Sequence, residues 1–135
     1  MRILALLIVI YVPAMLVIHV STGKILRAWD EQPDSLIGRW FPPRRALRIE
    51  ALFWVLALAA WSLWQPLVLK VLVVLFGSIH LGIWGADEFA AGRQKGPAFT
   101  ASPTVKRIII TFDAAEAFVL AALGVVALLF LIRPG

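Results

Sequence analysis

ALFWVLALAAWSLWQPLVLKVLVVLFGSIHLGIWGA, residues 51–86, is an almost unbroken apolar run, interrupted only by Gln65-Pro66 and Lys70. As one helix it would be about 54 Å long at 1.5 Å per residue, far beyond a hydrocarbon core of about 30 Å, so it must turn back on itself. Proline disfavours helical geometry in the residue before it, which puts the turn at Trp64-Gln65-Pro66, and Lys70 is close enough to snorkel to the same interface. The stretch therefore predicts two membrane spans forming a tight helical hairpin. Trp61, Trp64 and Trp84 fall near the two membrane faces, where amphipathic indoles collect.

Working outward, the run Ile3 to Val20 carries no formal charge and approaches the roughly 20 residues that a span needs. It exceeds the usual signal-peptide core of about 7 to 15 residues, so it is expected as an uncleaved span, bent at Pro13. The last run ends at Arg133-Pro134-Gly135, and counting back about 20 residues starts the hydrocarbon core near Asp113. Ser102-Pro103 reads as a helix cap followed by proline at the first helical position, so that helix begins in the headgroups. The expected architecture is a single all-α, polytopic integral membrane domain of four transmembrane helices. Its spans lie at about 3–20, 49–64, 67–85 and 108–132, with loops at 21–48 and 86–107.

Composition agrees. Of 135 residues, 61% are hydrophobic and 16% charged, against about 25% charge in a soluble domain, and the mean hydropathy is +0.91. A soluble chain of this size would leave large apolar patches in water. The net charge of +5 sits in connecting segments without a basic helix or aromatic-studded strand. That argues against nucleic acid and for anionic lipid headgroups as the counter-charge. The absence of cysteine excludes disulfides, thiolate metal sites, iron-sulfur clusters and cysteine nucleophiles.

The basic residues also orient the chain. Lys24, Arg27, Arg39, Arg44, Arg45 and Arg48 lie in the first loop, and Arg93, Lys95, Lys106 and Arg107 in or beside the second; only Arg2, Lys70 and Arg133 lie opposite. By the positive-inside rule both loops face the cytoplasm and both termini the periplasm of a bacterial inner membrane. In the first loop, Leu36-Ile37-Gly38-Arg39-Trp40-Phe41 suits a short interfacial segment. The Arg44-Arg45 pair after Pro42-Pro43 suits a lipid phosphate, although the topology rule explains it equally.

Ionisable groups inside a membrane are costly and mark function. His19, His80 and Glu116 form one layer within one or two turns of the cytoplasmic ends of their spans, with Glu50, Asp87, Glu88 and Asp113 flanking it at the interface. His19 and His80, on different helices at similar depth, could provide the two axial imidazoles of a b-type haem. A bacteriochlorophyll needs one histidine. Ile79-His80-Leu81-Gly82-Ile83-Trp84 resembles, over these six residues, the pigment-binding segment of bacterial light-harvesting polypeptides, without their single-span layout. The plainer reading makes His19 an interfacial residue bonded to water or headgroups, and His80 a donor to a carbonyl or carboxylate of a neighbouring helix.

Asp113 and Glu116 share a face with Glu116 the deeper, so Glu116 needs a partner such as Arg48 or His80, or a proton. No Glu-x-x-His pair is present, so no metal site is expected. No nucleophile triad or phosphate loop appears either, and no catalytic residue is assigned. Ala114, Ala117, Ala121 and Gly124 line one face of the last span as a packing stripe, leaving Leu120, Leu123 and Leu128 for lipid or a partner. The leading expectation is an accessory or scaffold subunit assembled with other integral membrane subunits of a bioenergetic or photosynthetic complex. The alternatives are a tetrapyrrole-binding electron-transfer or pigment protein using His80 with or without His19, and a small transporter or lipid-modifying enzyme centred on Glu116.

Overall fold

A computed structural model of the chain describes residues 1–90 and 102–133. Arg93 and Lys95 of the second loop, and the Pro134-Gly135 end, lie outside the described residues. Among the described residues every regular element is a helix: α1 Arg2–Val20, α2 Thr22–Glu31, α3 Leu36–Trp40, α4 Pro43–Ala59, α5 Leu67–Gly85 and α6 Pro103–Ile132. A 3₁₀ turn, Trp61–Leu63, follows α4, and a π-helical turn, Ala86–Ala90, extends α5. Three helices, Arg2–Val20, Leu67–Phe89 and Pro103–Ile132, are long and apolar enough to cross a membrane. The chain is an integral membrane protein.

The longest contact joins α1 to α6. Val12 meets Gly124, whose missing side chain brings the two helices together: a Cβ there would lie 3.0 Å from Val12 Cγ1. Further along, Met15 and Leu120 are fully buried and His19 reaches Glu116. α4 packs on α5 through Leu58 against Gly77 and through Trp54 stacked on Phe76, ring centroids 6.0 Å apart. At the polar end of α4, Arg44 pairs with Asp87 at 3.3 Å and Arg48 with Glu88 at 2.7 Å. Beyond its other end Lys70 sits over the Trp61 ring, 5.7 Å from its centroid.

Several expectations need correction. The segment 21–48 is not a loop. Thr22, Ile25, Leu26 and Ala28 are buried on one face of α2 while Lys24, Arg27 and Glu31 point outward, an amphipathic pattern three turns long. Ser35 caps α3 by accepting from the Gly38 amide, and the Trp29 indole donates to the Phe41 carbonyl at 2.7 Å, tying α2 to the end of α3. α4 begins at Pro43, six residues before the expected start, because proline suits the first helical position and the arginines that follow are good helix formers.

Trp64, beside the turn, is fully buried against the rest of the chain. Its indole donates at 2.8 Å to the carbonyl of Ala57, one of the last-turn carbonyls of α4 that lack a helical partner. The face that α6 buries is Glu116, Val119, Leu120, Leu123 and Ala127. Ala114 and Ala121 are exposed, so the small-residue stripe is not the packing face, although Gly124 does serve the contact with α1. Ser102 precedes Pro103 at the start of α6 as expected, but its side chain makes no capping bond.

A buried histidine-carboxylate centre

α1, α5 and α6 each direct one ionisable side chain to the same point. His19 lies in the last turn of α1 and His80 about one and a half turns before the end of α5, whereas Glu116 faces inward from α6. All three are buried, Glu116 completely. His19 Nε2 lies 3.3 Å from Glu116 Oε1, and His80 Nε2 lies 3.3 Å from Glu116 Oε2, so the carboxylate spans the two imidazoles. The ring centroids are 6.3 Å apart. His19, expected at the headgroups, is inside the bundle because the last turn of α1 is covered by α6 and by the turn into α2.

The opposite ring nitrogens fix the chemistry. His19 Nδ1 is 2.8 Å from the Met15 carbonyl, and His80 Nδ1 is 2.9 Å from the Phe76 carbonyl. A carbonyl only accepts, so each Nδ1 carries the hydrogen and donates it one turn back along its own helix. For a neutral imidazole this leaves Nε2 bare, with its lone pair facing a carboxylate oxygen that also only accepts. Two acceptor-to-acceptor contacts in a buried site are repulsive unless a positive charge lies between them. His19 Nε2 and Glu116 Oε2 are correspondingly without a hydrogen-bond partner among the described residues. Protons or a metal cation can supply the charge.

The geometry suits a cation well. The ligating atoms of the three residues all lie within 4.8 Å of one another. A tetrahedral centre with bonds of about 2.1 Å has ligand-to-ligand edges of roughly 3.4 Å; the two histidine-carboxylate distances are of that size but run to different oxygens of Glu116. An Nδ1–H bound to a backbone carbonyl is also the usual way a metal-binding histidine is oriented. The carboxylate is oriented too, because the Trp54 indole donates to Glu116 Oε1 at 3.1 Å. Trp54 is fully buried and stacks on His80, ring centroids 5.6 Å apart.

Glu50, from α4, brings its Oε2 to 3.8 Å from His80 Nε2 and is largely buried. Asp113 lies one turn from Glu116, where its carboxylate accepts from the Thr22 hydroxyl, joining α6 to the start of α2. Arg44 and Arg45 stand apart from this centre: Arg44 is held by Asp87, and Arg45 donates to the Trp40 carbonyl. Arg48, considered as a partner for Glu116, is taken by Glu88. The structure thus brings His19, His80 and Glu116 into one cluster and sets Asp113 beside it.

Sequence reasoning missed Trp54 and Thr22. The signal for Trp54 was its spacing of four residues from Glu50, which puts an indole and a carboxylate on one face of α4. No family model matches this chain, and no match is found among curated proteins or solved structures.

Proposed function

We propose that this protein is a membrane-embedded metal protein whose centre is His19, His80 and Glu116, holding a divalent first-row transition metal such as zinc or ferrous iron. The observation that carries this reading is the pair of Nε2 atoms, each 3.3 Å from one oxygen of the same buried carboxylate. Two imidazoles and a carboxylate are ligands for zinc and for non-haem iron, and three protein ligands leave a further coordination position. Such a position is what binding or activating a small molecule requires. The haem reading is less well supported, because the space between the imidazoles is taken by the Glu116 carboxylate where a macrocycle would have to lie. A scaffolding subunit would use the same set only as polar contacts between helices, and metal content separates the two readings.

Metal analysis of protein purified in mild detergent without chelators tests the proposal. We expect one zinc or iron per chain, removed by a strong chelator together with a drop in thermal stability. A chain that never takes up either metal, even when refilled at micromolar excess, would overturn it.

In this reading the bundle has four spans, with α4 and α5 as the membrane hairpin. α4 and the following 3₁₀ turn together reach about 31 Å, close to the hydrocarbon thickness. The arginine-rich end of α4 faces the cytoplasm of a bacterial inner membrane, and both chain termini face the periplasm. Anionic lipids supply the counter-charge along that cytoplasmic end. The lack of native cysteine makes the arrangement easy to test. An impermeant maleimide should label Ser62→Cys in intact spheroplasts and Lys24→Cys only after lysis. Labelling of both from the same side would mean that α4 does not cross.

A further inference from the structure

Beside the centre lies a cavity of about 250 Å³, bounded by α1, α2, the end of α3, α4, α5 and α6. Its wall is aliphatic except for two features. Three aromatic rings, Trp29, Phe41 and Phe112, line it; and Thr22, Glu50, His80 and Asp113 supply its polar groups. His80 belongs both to this wall and to the centre, where its Nε2 faces Glu116. The cavity and the proposed metal site therefore share a boundary.

We infer that this cavity binds a neutral, flat, hydroxyl-bearing head attached to an apolar tail, of the quinol or alkylphenol class, with the hydroxyl directed at Glu50, His80 and Asp113. The inference rests on the preceding reading of His19, His80 and Glu116 as one centre. Four observations support it. The volume corresponds to roughly eight waters at about 30 Å³ each, suited to a substituted ring with the first part of a tail rather than to a whole lipid. The apolar wall favours a hydrocarbon body that partitions from the bilayer. The three rings favour a flat aromatic partner in offset or edge contact. The polar groups, two carboxyls and an imidazole, sit at one end of an otherwise apolar wall, where they suit a small hydroxyl as their hydrogen-bond partner.

The test uses the full-length protein in phosphatidylcholine nanodiscs and decylubiquinol under argon, with binding measured as quinol retained above that in empty discs. We expect saturable binding approaching one quinol per chain. Filling the cavity with Ile79→Trp should weaken binding at least tenfold, and so should Ile25→Phe, placed on a different helix in case either variant fails to fold. Metal content should remain at the parent value in both. Retention equal to that of empty discs in metal-loaded protein would overturn the inference and leave the metal reading standing. Binding insensitive to both filling variants, or displaced more readily by dodecylammonium than by an alkylphenol, would overturn it as well. Saturable, filling-sensitive binding by protein that takes up no metal would support the cavity assignment and overturn the reading of the centre instead.

Discussion

Glu116→Gln is expected to lower metal affinity by at least about 100-fold, beyond the 10- to 100-fold effect usual for groups that only orient a ligand. It should do so without unfolding the metal-free protein. The glutamine amide keeps the size of the carboxylate and an acceptor for the Trp54 indole, now 3.1 Å away, while its N–H, in the place of Oε2, donates to His80 Nε2 at 3.3 Å. One acceptor-to-acceptor contact thereby becomes a hydrogen bond, so the metal-free variant should resist denaturation at least as well as the metal-free parent. With metal added, only the parent should gain stability, by about 2.7 kcal/mol when free metal is 100 times its Kd.

A centre held together by protons gives the opposite sign. There Glu116 would be the counter-ion of a buried imidazolium, and removing its charge would leave that cation unpaired at a cost of about 3 to 5 kcal/mol. Denaturant titration of both proteins, with and without metal, separates the cases. Strong destabilisation of the metal-free variant would refute the metal reading.

The membrane-spanning character was legible because it depends on composition along each run. Length, apolarity and the break at Gln65-Pro66 suffice to mark α1, α5 and α6 as helices able to cross a bilayer. The depth of a side chain is legible on the same grounds: distance from a span's end put His19, His80 and Glu116 in one layer. The direction a side chain faces is not. A helix apolar on all sides has no polar face to orient it, so nothing along α6 distinguished the buried Leu120 and Leu123 from the exposed Phe118 and Val125. Small residues then looked like the packing face, and only Gly124 serves that contact.

The reverse difficulty arose in 21–48. Charge there suggested a loop, but Lys24, Arg27 and Glu31 occupy only the outer face of α2, whose inner face closes over the centre through Thr22. The histidines' convergence on one carboxylate was beyond reach for the same reason, since it requires the rotation of three helices about their axes. The expectation that no metal site is present rested on the missing Glu-x-x-His pair, a local spacing. The candidate set instead takes one ligand from each of three helices.

Trp54→Ala should be the most damaging single change to the fold, with Trp54→Phe separating its two roles. In a bilayer the usual account of core truncation needs adjustment. Lipid tails are as apolar as the bundle interior, so the cost is mostly lost packing rather than exposure to water. A residual cavity on the order of 100 Å³ costs roughly 2.4 kcal/mol at about 24 cal/mol per Å³. Trp54 also lies edge-on to Phe53 at 5.4 Å and stacks on Phe76 and His80, contacts worth about 0.5 to 1.5 kcal/mol each beyond their area. The expected loss for Trp54→Ala is therefore about 4 to 7 kcal/mol, measured by SDS titration in mixed micelles.

Trp54→Phe retains most of the stacking and removes the indole N–H, leaving Glu116 Oε1 without its donor. It should cost about 1 to 2 kcal/mol in stability. Because the carboxylate would then lose its orientation, it should also weaken metal binding by about 10- to 100-fold. A phenylalanine variant with parent-like metal affinity would show that Trp54 only fills space and that the carboxylate is held by its other neighbours. If instead metal affinity falls with little change in stability, the indole acts by aiming Glu116 at the two imidazoles.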